Sequence, residues 1–251
     1  MMDWRDQGLL LSTRRHGESS AIIEVLTSAH GRHAGIVRGG ASSKMGPVLQ
    51  PGAQLDLEWR ARLSEHLGTY RVEPLRSRAG VLMSDRRRLA AFNAVAALLL
   101  AFTPEREPDT PLYDLTLGLA DALADDNPDW AAHYAAWELG LLGAIGFQLD
   151  LGSCAATGAT QELVWVSPKS GRAVSRQGGE GWEDRLLPLP AFLKGAEPTP
   201  EDVHQSLRLT GHFLTHWVLP AHGKPHLPEA RGRFLALLGG GLGGDGVVSL
   251  V

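Results

Sequence analysis

A single cysteine, Cys154, stands in a chain of 251 residues. One thiol excludes an intramolecular disulfide framework and a cysteine-rich zinc site, and it suits a reducing compartment. Aromatic residues are scarce at 6 %, and the first eighty residues hold only Trp4, Trp59 and Tyr70. The glycine, lysine and serine pattern of a phosphate loop does not occur, and no GxGxxG lies between a strand and a helix. The GxSxG nucleophile elbow is missing too. Carboxylates are scattered, so spacing shows no paired acid and base. The apolar run that ends at Phe102 is far short of a membrane span. The opening MMDWRDQGLLLSTRRHGE carries charge too early for a signal peptide. A cytoplasmic, non-membrane protein without a cofactor is the expectation.

What is present begins with an uneven charge. The net charge is −4, which argues against a polyanion binder. Residues 1–80, however, hold eleven Lys/Arg against eight Asp/Glu, and the remainder holds thirteen against twenty. A basic front on an acidic body suits a polyanion bound by one domain only. Hydrophobic residues at 43 % and charged residues at 21 % are enough for a packed core.

Residues 8 to about 76 read as β. GLLLSTRR, SAIIEVLTS, GRHAGIVRGG, AQLDLEWRAR and LGTYRVEP are five strand-length runs separated by Gly, Pro and Ser turns. In the fourth run Leu55, Leu57 and Trp59 alternate with Asp56, Glu58 and Arg60. Five short strands without a helical period predict an OB-type barrel. At Ser84-Asp85 the pattern changes to a capped helix, RRRLAAFNAVAALLLAF. Two more Ala/Leu-rich helices follow from Asp109-Thr110-Pro111 and Asn127-Pro128, and the three would pack as a bundle. Thr199-Pro200 starts another helix that Pro220 ends, and Pro228-Glu229 starts a last short one. The expected class is α+β: an N-terminal OB-fold barrel (1–80), then a helical domain (81–251). That helical domain would carry a small ribbon-like β insert at about 150–180 and a Gly-rich tail from 239.

The insert has the frame of a zinc ribbon without its ligands. Cys154 is followed by Thr157, a short strand, a Ser-Pro-Lys-Ser-Gly turn and a second strand. Ser175 and Gly178 then stand where a second ligand pair would fall. One thiolate cannot hold a structural zinc, so no metal is expected, and Val164, Val166 and Val174 are the expected inward residues. His212 and His216, at i and i+4, are repeated in spacing by His222 and His226. That spacing can place two imidazoles on a metal, but HFLTH lacks the glutamate of HExxH. Helix-end or surface histidines are the alternative. His30 and His33 flank a hairpin turn, with either a turn role or a polyanion contact.

The cations of the β region are the candidate nucleic-acid contacts: Arg14, Arg15, Arg32, Arg38, Lys44, Arg60, Arg62 and Arg71. They fall at strand ends and in loops, and Lys44 lies in the long Gly/Ser loop RGGASSKMGP. With so few aromatics, binding would be electrostatic, sequence-indifferent and weakened by salt. Arg86, Arg87 and Arg88 open a helix whose dipole disfavours cations there. Either an anion compensates them or their stems cover apolar surface.

These stretches together resemble the RecO family of DNA-repair and recombination-mediator proteins. The resemblance is carried by WRDQGLLLSTRRHGESSAIIEVLTSAHGRHAGIVRGG, LQPGAQLDLEWRARLSEHLGTYRVE, LGLLGAIGFQLDLGSCAATG and VSPKSGRAVS. It implies a four-cysteine ribbon in the zinc-binding members, of which Cys154 alone survives here. It also implies a non-catalytic protein that binds single- and double-stranded DNA and anneals complementary strands. With RecR, such a protein helps load the recombinase on strands coated by single-stranded-DNA-binding protein. Docking the acidic C-terminal tail of that coating protein needs cations beside an apolar pocket, for which Arg208, Arg231 and Arg233 are the candidates. The competing readings are an OB-fold RNA-binding factor and a metal-dependent hydrolase using the C-terminal histidines.

Overall fold

The computed structural model describes residues 2–63, 65–125 and 127–239. In chain order the elements are β1 (Met2–His16), β2 (Ser20–Thr27), β3 (Gly31–Val37), β4 (Gln54–Ala61) and β5 (Thr69–Arg76). Helices α1 (Ala79–Ser84), α2 (Arg86–Phe102), α3 (Thr110–Ala124) and α4 (Trp130–Ala144) follow. Then come strands β6 (Leu163–Val166), β7 (Ala173–Ser175) and β8 (Leu187–Pro188), and helices α5 (Pro200–Phe213), α6 (Leu219–Ala221) and α7 (Glu229–Gly239). These elements form two compact units. One is Met1–Glu107 with the segment from Pro228 onward; the other is Pro108–Leu227. The β-to-helix change near residue 80 is therefore not the packing boundary: α2 and α7 pack on each other within the barrel's unit. Of the Gly-rich tail only Gly239 falls among the described residues.

The first unit is built on a closed barrel of order β1-β2-β3-β5-β4, a five-stranded, OB-type arrangement. The first half of β1 pairs antiparallel with β4, from Met2↔Ala61 to Leu9↔Gln54. Its second half pairs with β2, from Gly8↔Thr27 to His16↔Ser20. The strand thus begins well before Gly8, where its apolar run starts. Met2 to Gln7 are mostly exposed and polar, so alternation gives no sign of them; their backbone pairing with β4 makes them strand. A side chain at Gly8 would come within 2.5 Å of Leu57 Cδ1, so a larger residue where β1 passes from one partner to the other would displace that buried leucine. A register shift between Leu10 and Ser12 adds the local twist of a bulge. β3 and β5 run parallel through Ile36↔Thr69 and Val37↔Tyr70.

Leu10, Ile23, Val25, Leu55, Leu57, Trp59 and Tyr70 fill the interior. By strand alternation Leu9, Ile22 and Leu26 point to the other face, yet they too are buried. Helix α2 packs against β1, and its N-cap Asp85 accepts from the N–H groups of Arg87 and Arg88. Arg88 also pairs with Asp85 at 3.6 Å. Of the arginine run, Arg88 is thus the member with Asp85 as a counter-charge. The helix α1 just before it was not legible as a separate element.

A strap follows α2. Arg32, on β3, donates to the Thr103 carbonyl at 3.1 and 3.2 Å and to Glu24 at 2.8 Å, and reaches Glu105 at 3.4 Å. The Arg106 N–H donates to the Arg32 carbonyl at 2.8 Å, and its guanidinium to the His66 carbonyl at 2.9 Å. Any side chain at Gly31 would collide with the Glu107 backbone. The strap therefore ties α2 to the β2–β3 turn and to the loop between β4 and β5.

His33 is buried among Trp4, Trp59 and Tyr70. Its Nδ1 is 2.8 Å from the Tyr70 hydroxyl. Burial, with the nearby Arg106 charge, lowers its pKa from 6.5 to about 4. Half-buried His30 stacks on Trp4 with ring centroids 4.0 Å apart and contacts Asp6 at 3.2 Å. The two histidines are therefore parts of the barrel's packing.

In the second unit α4 packs on α3 and α5. Trp137 Nε1 donates to Thr116 Oγ1 at 3.0 Å, and the buried Glu138 carboxyl accepts from Tyr134 at 2.9 Å and from Thr210. Thr199 and Asp202 form a capping box at the start of α5. A π turn, Leu214–Val218, follows α5, just before Pro220. A side chain at Gly171 would meet the Trp217 ring at 2.7 Å, so Trp217 packs on the β6–β7 turn. His212 Nε2 lies 3.4 Å from the Pro168 carbonyl, and its ring is 4.5 Å from that of His216. Among the described residues no three His, Cys, Asp or Glu side chains are grouped as metal ligands.

The insert is a small sheet of order β7-β6-β8. Cys154, Thr157, Ser175 and Gly178 meet at one point. The N–H and hydroxyl of Ser175 donate to Cys154 Sγ at 3.2 and 3.3 Å, Thr157 Oγ1 is 3.4 Å from Ser175 Oγ, and the Gly178 N–H donates to Ser175 Oγ at 3.1 Å. Burial raises the Cys154 thiol, but hydrogen bonds from Ser175 and Thr157 outweigh it and hold it at about 6. Val166 and Val174 are buried, whereas Val164 is only half-buried. A register shift between Leu163 and Trp165 gives the inward place to Leu163 instead.

Two outcomes follow from the barrel's packing. The His33 pKa is depressed on folding, so its contribution to stability is complete above pH 6.5 and is lost as pH falls towards 4. Urea midpoints should drop between pH 7 and pH 5, and His33→Gln should flatten that drop; an unchanged pH dependence in the variant would contradict the assignment. Arg32→Met should cost about 2 kcal/mol in urea unfolding at pH 7, because it strands the Thr103 carbonyl and two carboxylates. A loss below about 0.5 kcal/mol would show that the strap does not stabilise the barrel.

Candidate nucleic-acid interface

Three of the basic residues singled out from the sequence converge on one groove. It has a volume of about 520 Å³ and is lined by Val37, Arg38, Met45, Glu58, Arg60, Thr69, Tyr70, Arg71 and Val72. The parallel β3–β5 seam forms its base: Val37 and Tyr70 are register partners there. Arg38 follows β3 directly and is exposed. Arg60 and Arg71 are outward residues of β4 and β5, since Leu57, Trp59 and Tyr70 take the inward positions. Met45 comes from the long loop between β3 and β4, and its neighbour Lys44 is exposed. That loop is ordered by its own turns: the Met45 carbonyl accepts from Leu49 at 2.9 Å, and the Gly46 carbonyl from Gln50 Nε2 at 2.7 Å.

The other expected contacts are distributed differently. Arg14 and Arg15 are exposed at the β1–β2 hairpin, where Arg15 reaches the Glu18 carbonyl at 3.4 Å. Arg62 is exposed just after β4. Among the described residues Arg14, Arg38, Lys44 and Arg62 carry no ion pair. Arg32 belongs to the strap, with its side chain 11 % exposed. Arg60 is paired with Glu58, and Arg71 lies 3.6 Å from Glu73.

A charge ladder accounts for those last pairs. The outward residues Asp56, Glu58 and Arg60 of β4 face Arg5 of β1 and Arg71 and Glu73 of β5. Arg5 pairs with Asp56, which raises the arginine pKa and lowers that of the carboxyl. The cations of this face are thus largely matched by carboxylates, while among the described residues Arg14, Arg38, Lys44 and Arg62 are not. Arg5 was missed in the sequence; the alternation of Asp3, Arg5 and Gln7 was its available signal. The aromatics do not make a stacking platform: Trp59 and Tyr70 are 2 % and 4 % exposed, and Trp59 Nε1 donates inward to the Leu67 carbonyl at 3.0 Å.

The three arginines expected to hold a partner's tail do not form a single exposed set. Arg208 is exposed on α5 in one unit, whereas Arg231 and Arg233 lie on α7 in the other. Arg231 is buried, and exposed Arg233 pairs with Glu229 at 3.1 Å.

Comparison with known proteins accounts for both parts of the chain. The family described as Recombination protein O N terminal matches residues 1–78, and Recombination protein O C terminal matches residues 83–225. The DNA repair protein RecO of Cereibacter sphaeroides is 58 % identical over 240 residues, which covers 95 % of this chain and 99 % of the relative. The protein of the same name from Ruegeria sp. is 58 % identical over 239 residues, covering 94 % and 98 %. That of Dinoroseobacter shibae is 50 % identical over 238 residues, covering 95 % and 98 %. No helix among the described residues is long and apolar enough to cross a membrane. With both family halves matched in order and such relatives aligned over nearly their whole length, the chain belongs to the RecO family.

Proposed function

We propose that this protein acts without catalysis in recombinational DNA repair. It binds single- and double-stranded DNA through the basic side of its barrel and anneals complementary strands. With RecR it helps load the recombinase on single strands coated by single-stranded-DNA-binding protein. The observation that carries the reading is the groove that gathers Arg38, Arg60 and Arg71 beside the Lys44 loop. Relatives at 50–58 % identity are named DNA repair protein RecO.

The physical mechanism is charge neutralisation. Two strands repel each other, and cations that replace condensed counterions lower that repulsion and gain the entropy of ion release. Each phosphate neutralised contributes about 0.7 to the slope of log affinity against log salt for a single strand. The groove offers aliphatic Val37, Met45 and Val72 rather than open aromatic faces, so bases gain no strong stacking on the protein and remain available to each other. Sequence-blind, modest contacts of this kind let two strands slide into register. Arg208, exposed on α5, is the residue of choice for the acidic tail of the coating protein.

The test is annealing of two labelled complementary oligonucleotides at low and moderate salt. Wild-type protein should accelerate annealing, and the acceleration should fall with salt. The double variant Arg38→Glu/Lys44→Glu should lose at least about tenfold at low salt, the effect of reversing two phosphate-facing charges. Wild-type protein that does not accelerate annealing at either salt would overturn the annealing role.

A further inference from the structure

The groove contains one carboxylate among its lining residues, Glu58. It is placed by strand register. On β4 it stands opposite Arg5 of β1 and Arg71 of β5, and its carboxylate is hydrogen-bonded to Arg60. Its side chain is 32 % exposed, so it faces the same space that a phosphate would enter. It also lines the smaller neighbouring cleft with Arg5, Asp56, Arg71 and Glu73. A carboxylate already tethered beside two guanidinium groups competes with phosphate for the same donors. It repels the backbone at the same time, with little screening at such short range.

We propose that Glu58 is an internal competitor for the phosphate backbone, one that holds the affinity of the groove down so that strands are exchanged rather than retained. The proposal rests on the reading of the groove as the DNA contact and concerns how that contact is tuned. A phosphate that enters must displace Glu58 from Arg60. At low salt the released carboxylate remains an unfavourable neighbour, and this keeps part of the groove's positive charge from being expressed.

The experiment compares wild-type protein, Glu58→Gln and Asp56→Asn in binding a fluorescein-labelled oligothymidine across a series of NaCl concentrations, with circular dichroism to check the fold. Both variants gain the same charge, but Asp56 lies outside the larger groove and is bonded to Arg5. Glu58→Gln should bind about threefold tighter at low salt, the scale of one exposed ion pair. Its salt slope should steepen by about 0.7, one further phosphate neutralised. Adding Arg60→Gln to Glu58→Gln should remove that gain. Unchanged affinity and slope in Glu58→Gln would overturn the proposal, as would an equal gain in Asp56→Asn, which would show that net charge alone is read. Wild-type protein that binds no oligothymidine at any salt would overturn both this proposal and the DNA-contact reading, whereas binding by wild type with no tightening in Glu58→Gln would overturn the competitor alone.

Discussion

The barrel closes through β1. One strand of fifteen residues serves two neighbours, β4 along its first half and β2 along its second. At the crossover Gly8 leaves room for Leu57, and a bulge at Leu11 adds twist. Once β1 joins β2 to β4, β3 and β5 are left to close the ring as a parallel pair, an arrangement that needs a long connection. The connection that runs from β3 to β4 carries Lys44 and Met45, and the groove lies along the seam. The basic groove is thus a consequence of how the barrel closes.

The same framework explains how an acidic protein can offer a basic surface. Cations on the outward face of β1, β4 and β5 alternate with carboxylates along and across the strands, so Arg5, Arg60 and Arg71 are matched by Asp56, Glu58 and Glu73. Arg14, Arg38, Lys44 and Arg62 have no such carboxylate partner among the described residues. Cross-strand pairs of opposite charge steady the sheet, while Arg14, Arg38, Lys44 and Arg62 remain available to a ligand. Salt-sensitive, modest affinity is the property expected of such a surface towards a polyanion.

Much of this architecture could be read from the residues alone. Alternation in AQLDLEWRAR placed Leu55, Leu57 and Trp59 inside, and the capping residues Asp85, Asp109 and Thr199 marked the starts of three helices. What escaped was decided by long-range contact. The first residues of β1 have no apolar rhythm and become strand through β4. Helix α2 looks like a member of the downstream bundle, but it packs in the barrel's unit because Leu9, Ile22 and Leu26 leave a second apolar face on the strands. Arg32 looked like any strand-end cation, and only the strap from Thr103 to Glu107 reveals that its guanidinium is used internally. Arg231 likewise carries a full charge in the sequence but is buried on α7. Val164 lost its inward place to a one-residue register shift, which a periodic reading cannot foresee.

The insert shows how a frame can be kept with different chemistry at its centre. Hydrogen bonds among Cys154, Thr157, Ser175 and Gly178 now join the two ends of the small sheet. Gly178 keeps this packing tight, because a side chain there would lie 2.7 Å from the Cys154 sulfur. The proposed DNA contact lies elsewhere, at the seam between β3 and β5. The most direct measurement is amide NMR of the ¹⁵N-labelled protein titrated with a short oligothymidine at low salt. If DNA is bound at this seam, the largest shifts fall on Arg38, Lys44, Met45, Arg60 and Arg71 and reverse when salt is added. Shifts confined to Pro108–Leu227, or spread evenly over the barrel without regard to the groove, would contradict it.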